Sequence, residues 1–169
     1  MVKEPNPQFA IEVSQTPGGE TLSLCFQCGT CTGSCPSGRL TSYRTRKLIR
    51  KAQLGLEADV LESPDLWMCT TCYACQERCP RGVEIVDIIN VLRNKAVAKG
   101  VMSEEHTKVG TYFLQNGATI PLNEKYEAIR EQLGLPRRPA NVLGDKKALE
   151  DFQKILKVTG FDKLLEEKK

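Results

Sequence analysis

Apolar residues recur at helical spacing along most of the chain. Ile85, Ile88, Ile89, Leu92 and Ala96 share one face of a stretch that follows Gly82, carries Lys95 and Lys99 near its C-terminal end and stops at Gly100. Ser42 to Leu54 places Thr45, Leu48, Ile49 and Ala52 on one face, with Gly55 just beyond. Ser103 caps a helix through Asn116, with Glu104 and Glu105 in its first turn and Gly117 after its end. Asn123 opens another, bearing Tyr126, Ile129 and Leu133, which Gly134 and Pro136 close, and Arg137-Arg138-Pro139 is a loop. Asp145 caps the last helix, with Leu149, Phe152, Ile155 and Leu156 on one face and Gly160 at its end; Glu166 to Lys169 is expected to fray. Ser63-Pro64-Asp65 reads as a further helix start, after a linker at Glu57 to Leu61. Pro5, Pro7, Pro17, Gly18 and Gly19 break the first twenty residues into an arm in which Phe9 to Val13 forms only a short element. The pattern predicts a mainly α protein.

All eight cysteines fall in two copies of one pattern, C-x2-C-x2-C-x3-C-P: Cys25, Cys28, Cys31 and Cys35-Pro36, then Cys69, Cys72, Cys75 and Cys79-Pro80, 44 positions further on. Three thiolates at i, i+3 and i+6 on a loop that winds back converge on three corners of a cube. The fourth, set apart and followed by a helix-breaking proline, points toward a different cube. In bacterial-type ferredoxin runs of this spacing the fourth cysteine ligates the other motif's cluster. The expected sets are therefore Cys25, Cys28, Cys31 and Cys79 for one [4Fe-4S] cluster and Cys69, Cys72, Cys75 and Cys35 for a second, with ligation within each motif as the alternative. Gly29 and Gly33 suit close approach of backbone N–H groups to cluster sulfurs, or simply the turns themselves. Structural zinc prefers separated cysteine pairs, often with histidine, and the chain has one histidine, His106, far from any cysteine. A disulfide framework fits neither the three-residue steps nor an N-terminus without a signal-peptide pattern.

Composition narrows the setting. The chain has 169 residues, 27% charged and 40% hydrophobic, with a net charge of +3, which is globular and too weakly basic to argue nucleic acid. No apolar run approaches the ~18 to 20 residues of a membrane span, since Val83 to Leu92 is interrupted by Glu84, Asp87 and Asn90. Eight thiolate ligands without an export signal imply a reducing cytoplasm. Arg39, Arg44, Arg46, Lys47, Arg50 and Lys51 lie in a stretch from Ser37 to Lys51 that holds no acid; this is a solvated helix face, a docking surface for an acidic partner, or positive charge that raises the potential of a nearby cluster. Trp67 and Tyr73, next to the second cysteine run, read as packing residues that could also shield or gate a cluster. No G-x-G-x-x-G follows a strand and no Ser/His/Asp set occurs. Paired clusters without a substrate site make a one-electron relay whose catalysis lies in a partner.

The run from Cys25 to Pro36, followed by Trp67-Met68-Cys69 through Cys79-Pro80, resembles the iron–sulfur C subunits of the soluble heterodisulfide reductases of methanogenic archaea, specifically from about Leu24 to Gly100. The resemblance implies an alpha-helical ferredoxin fold with two [4Fe-4S] cluster-binding loops. It also implies a relay between two partner subunits. The donor is flavin-containing and electron-bifurcating, fed by a hydrogenase or formate dehydrogenase; the acceptor is cysteine-rich and catalytic, and cleaves the CoM-S-S-CoB disulfide. Iron–sulfur subunits of anaerobic glycerol-3-phosphate dehydrogenases and of succinate or fumarate oxidoreductases share the helical core and stand as an alternative, and a zinc-stabilised interaction module as another. The expected organisation is an arm over 1–20, the two-cluster domain over 21–117, and a helical extension over 118–169 that either completes the core or docks a partner.

Overall fold

The computed structural model describes residues 4–120 and 123–165. Every regular element among them is helical, the all-helical ferredoxin class read from the sequence. The chain forms two compact units that divide between Val101 and Met102. The boundary expected at residue 117 thus moves upstream.

In the first unit, helix α1 (Pro7–Gln15) replaces the expected loose arm. Asn6 caps it, its side-chain oxygen accepting from the Gln8 N–H at 3.1 Å. Pro7 then sits at the first helical position, where its missing N–H costs nothing, so it starts the helix rather than breaking it. Phe9 and Val13 on α1 are fully buried. A 3-10 turn at Glu20–Leu24 leads into the first cysteine run, which contains α2 (Thr30–Gly33) and ends at α3 (Pro36–Leu40).

Helix α4 (Thr45–Gln53) buries the four residues its periodicity predicted, Thr45, Leu48, Ile49 and Ala52. It begins three residues later than Ser42 because Arg44 takes the extended N-cap conformation while Tyr43 goes into the core. The expected linker is a one-turn helix, α5 (Glu57–Leu61), that buries Val60 and Leu61. A second 3-10 turn at Pro64–Met68 precedes α6 (Ala74–Glu77).

Helix α7 (Ile85–Ala98) holds this unit together. Ile85, Val86, Ile88, Ile89, Val91, Leu92 and Ala96 are all buried, a wider face than the predicted stripe because α1, α5, α6 and both 3-10 turns pack around it. At ~1.5 to 3 kcal/mol for each fully buried aliphatic side chain, no other helix contributes as much. Its first amides are satisfied from the cysteine-run segments: the Glu84 N–H donates to Thr21 Oγ1 at 2.9 Å and the Val86 N–H to Gln76 Oε1 at 3.1 Å.

The second unit comprises α8 (Glu104–Asn116), α9 (Glu124–Gln132), a short 3-10 turn at Val142–Gly144, α10 (Lys146–Val158) and α11 (Phe161–Leu165). Ser103 caps α8 and Gly117, at φ +63°, ends it, as the sequence predicted. The Phe113 ring meets Phe152 and Phe161 edge-on, at 5.1 and 5.8 Å between centroids, which ties α8 to α10 and α11. Only Glu127 and Leu156 are buried among this unit's described residues. The apolar stripe predicted for α9 faces solvent, with Leu133 69% exposed, and the buried position is Glu127, held between Arg137 (2.6 Å) and Arg138 (2.9 Å). On α10 Leu156 is buried but Ile155 is 60% exposed. The fraying expected at Glu166 to Lys169 lies outside the described residues. No described helix is long and apolar enough to cross a membrane.

Candidate metal centre

The sequence repeat is also a structural one. The 3-10 turns at Glu20–Leu24 and Pro64–Met68, the short helices α2 and α6, and the buried residues Leu22 and Leu66 all recur at the 44-residue interval. So does the backbone conformation between the cysteines. Gln27 (φ +68°) and Gly29 (φ +89°) are left-handed in the first run, and Thr71 (φ +52°) and Tyr73 (φ +62°) in the second. A left-handed residue other than glycine costs ~1 to 2 kcal/mol, and these inversions wind each run back on itself so that its cysteines face one space. Gly29 is thus required by its backbone, whereas Gly33 has open space around it and no positive φ. Tyr73 matters first through its backbone. Aligning the two runs pairs it with Gly29, a signal that reading each motif separately passes over.

Two neighbouring cavities result, with α2 packed on α6 between the runs. One, enclosing about 320 Å³ of atom-free space, is lined by Cys25, Cys28, Cys31 and Cys79, with Ile49 and Ile85 among its walls. The other, about 270 Å³, is lined by Cys69, Cys72, Cys75 and Cys35, with Tyr43 and Thr45 among its walls. Every predicted site cysteine lies in one of these two sets. Among the described residues no three Cys, His, Asp or Glu side chains converge tightly enough to hold a single metal ion; the thiols ring a space instead of meeting at a point. His106 lies on α8 in the other unit, with its Nδ1 2.6 Å from Ser103 Oγ.

Donors are aimed at the sulfurs. The Gly38 N–H reaches Cys35 Sγ (3.4 Å), the Val83 N–H reaches Cys79 Sγ (3.3 Å), and Gln27 Nε2 reaches Cys25 Sγ (3.3 Å). The helix that follows each run clamps it by two carbonyls at equivalent places. Gln53 Nε2 on α4 donates to the Leu22 and Cys25 carbonyls at 3.0 and 2.9 Å. Arg93 on α7 donates to the Leu66 and Cys69 carbonyls at 3.1 and 2.5 Å. The Arg93 guanidinium also lies 5.8 Å from the Trp67 ring centroid, and Trp67 packs half-buried against the core.

Burial pushes the Cys31 thiol up and the Cys75 thiol up to about 12, while the Thr30 hydroxyl holds exposed Cys28 below the usual thiol range. The buried thiols therefore keep their protons until a metal displaces them. The Tyr43 hydroxyl and Thr45 Oγ1, which adjoin one another and Cys69, make no hydrogen bond of good geometry among the described residues. Orphaned buried hydroxyls cost ~1 to 3 kcal/mol each, and both line the cavity of the second run. Four thiols and an inward N–H group around each space, with the two hydroxyls at the second, fit a sulfur-bridged iron cluster.

Beside the first run lies a wider, open cavity with about 1220 Å³ of atom-free space, lined by Phe26, Arg44, Arg46, Lys47, Arg50 and Lys51 among others. None of its five cations forms an ion pair among the described residues. Phe26, next to Cys25, is 60% exposed.

Residues 21–83 match the 4Fe-4S dicluster domain family. The chain is 51% identical over 148 residues to the C subunit of the H(2):CoB-CoM heterodisulfide,ferredoxin reductase of Methanothermobacter marburgensis, covering 88% of this chain and 80% of that one. It is 48% identical over 167 residues to the iron-sulfur C subunit of the CoB–CoM heterodisulfide reductase of Methanopyrus kandleri, covering 95% and 87%. To the C subunit of the Ferredoxin:CoB-CoM heterodisulfide reductase of Methanosarcina mazei it is 48% identical over 158 residues, covering 94% and 97%.

Proposed function

Because this chain belongs to the family of iron–sulfur C subunits of CoB–CoM heterodisulfide reductases, we propose that it is the electron-transfer subunit of such a reductase. In this reading it relays electrons from a flavin-containing partner, supplied by a hydrogenase or formate dehydrogenase, to the cysteine-rich catalytic partner that reduces the CoM-S-S-CoB disulfide in methanogenesis. It carries no substrate chemistry of its own and works in the cytoplasm.

The observation that carries the reading is the grouping of all eight cysteines into two sets of four, each with three members from one run and the fourth from the other. We assign Cys25, Cys28, Cys31 and Cys79 to one [4Fe-4S] cluster and Cys69, Cys72, Cys75 and Cys35 to the second. Bound there, each cluster would take up and release single electrons. The chain supplies the rest. The left-handed residues shape the cradles, the Gly38 and Val83 N–H groups donate to Cys35 Sγ and Cys79 Sγ and orient them, and Ile49, Val83, Ile85 and Val86 exclude water from the inner walls.

Docking to partners is supported at two places. The five cations around Phe26, none in an ion pair among the described residues, suit an acidic surface brought close to Cys25. The exposed Ile155, Val158 and Leu133 of the C-terminal unit suit burial in a complex.

The test is an anaerobic pull-down of the full chain from its native extract, with partners identified and iron and sulfide counted. A flavoprotein and a cysteine-rich protein, with about eight irons on this chain as two cubanes need, are expected. A dehydrogenase without the cysteine-rich protein would overturn the pathway, and a colourless, iron-free chain the relay itself.

A further inference from the structure

The two cradles differ in what lines them. Around the first run's cavity the walls are Ile49, Val83 and Ile85 together with Arg46, and the side-chain donors near its sulfurs are half-buried Gln27 Nε2, 3.3 Å from Cys25 Sγ, and exposed Thr30 Oγ1, 3.4 Å from Cys28 Sγ. Around the second run's cavity the rim has lost those donors. Thr71, the counterpart of Gln27, turns its hydroxyl to the Thr70 carbonyl, and the counterpart of Thr30 is Ala74. Two polar groups are inside instead: Tyr43 and Thr45, each 1% exposed, line the cavity beside Cys35 and Cys69, the Tyr43 hydroxyl adjoining Thr45 and Cys69, and neither hydroxyl makes a hydrogen bond of good geometry among the described residues.

A buried hydroxyl without a partner is retained where something outside the chain accepts its proton. In this cavity the other polar groups are the four cysteine sulfurs and, at the exposed edge, Thr70 and Tyr73. Sealed from water, an O–H···S hydrogen bond acts at low dielectric and is stronger than one at a rim. Hydrogen bonds to cluster sulfurs stabilise the more negative, reduced state and so raise its potential.

Resting on the cluster assignment above, we propose that the Tyr43 hydroxyl and Thr45 Oγ1 are hydrogen-bond donors to the sulfurs of the cluster held by Cys69, Cys72, Cys75 and Cys35, and that they raise the potential of that cluster alone. They are positioning groups for the electron and make its site the more stable place for it to rest. Neither lies in a cysteine motif. Tyr43 lies in the segment joining the first run to α4 and Thr45 is the first residue of α4, so the first half of the repeat tunes the cluster of the second half.

The test is a potentiometric titration of the anaerobically purified full chain, followed by electron paramagnetic resonance, for wild type, Tyr43→Phe, Thr45→Val and Thr45→Ser. Iron and sulfide content verifies that both clusters are loaded. Tyr43→Phe and Thr45→Val are each expected to lower the midpoint of the second run's cluster and leave the first's unmoved, and Thr45→Ser, which keeps the hydroxyl, is expected to hold the wild-type midpoint. Iron–sulfur stretching bands in the Raman spectrum should shift in D₂O for wild type and lose part of that shift in Tyr43→Phe. Unmoved midpoints with both clusters present overturn the inference, as does a shift confined to the first cluster. A wild-type chain that holds no cluster at Cys69, Cys72 and Cys75 overturns the assignment beneath it.

Discussion

Removing either carbonyl clamp should loosen only the cradle it holds. Arg93 makes two charge-assisted hydrogen bonds, to the Leu66 and Cys69 carbonyls, and covers the Trp67 ring. Each such bond contributes about 1.5 kcal/mol at the lower end expected for a half-exposed donor, and the cation–π contact about 0.5 kcal/mol. Arg93→Ala is therefore expected to cost ~3.5 kcal/mol, or roughly 300-fold in the opening equilibrium of the second run. Gln53 makes three neutral bonds to the first run, donating to the Leu22 and Cys25 carbonyls and accepting from Gln27 Nε2 at 3.2 Å. At about 1 kcal/mol each, Gln53→Ala should cost ~3 kcal/mol and open the first run roughly 100-fold. The assay is anaerobic loss of visible absorption under an iron chelator, with paramagnetic resonance identifying which cluster goes first. Where capture follows rare local opening, the rate follows the open population. Arg93→Ala should release the second run's cluster first and faster, Gln53→Ala the first run's, and Arg93→Lys, which keeps the charge but loses the fork, should fall between wild type and alanine. Release of the opposite cluster, or wild-type rates in both alanine variants, would refute the assignment of each clamp to its own cradle.

Cys79→Ser is expected to damage the same cluster as Cys31→Ser although the two lie in different motifs, because both line one cavity; loss of the other cluster, seen by paramagnetic resonance, would place ligation within each motif. Gly55→Ala should destabilise the first unit by roughly 2 to 4 kcal/mol, combining a left-handed alanine with overpacking, since Gly55 has φ +69° and its added Cβ would run into the Asn6 carbonyl; a denaturation midpoint close to wild type would count against α1 packing here. The Arg137 and Arg138 side chains hold the Glu127 carboxyl below its usual range, so its contribution is complete above the unfolded carboxylate pKa of about 4.3 and is lost as pH falls through the lower folded value. Glu127→Gln should accordingly weaken amide-exchange protection of α9 at neutral pH and match wild type in acid, whereas a difference that stays constant through the acid range would show that the pair is not the cause.

Helices whose one face meets one core were legible in the sequence. Thr45, Leu48, Ile49 and Ala52 on α4, and the Ile85 to Ala96 stripe on α7, are buried as their spacing required. Cysteine spacing located the site for the same reason, since it encodes a local winding of the chain. What escaped was set by partners distant in sequence. Pro7 reads as a breaker until Asn6 caps the helix it starts. The stripe on α9 has the right period, yet Glu127 takes the buried position because two arginines from the following loop neutralise it. Tyr43 and Thr45 carry no motif, and their hydroxyls become conspicuous only when the two runs dock and close a cavity around them.

A perfect repeat would make two equal cradles and give a relay no preferred direction. The informative positions are therefore those where the halves depart from one another. A neutral clamp, Gln53, stands where the other half has cationic Arg93. Aliphatic walls in one cavity face the sealed hydroxyls of the other. Around Cys25 the outer surface is basic with an exposed aromatic, Phe26, while the corresponding edge at Cys69 presents exposed Met68 and Tyr73. Arg46 and its neighbouring cations favour the reduced state at the first run as the charge of Arg93 does at the second, so the sealed hydroxyls are the difference that acts on the second run alone. The two edges differ enough in charge to receive different partners, the first run facing an acidic one.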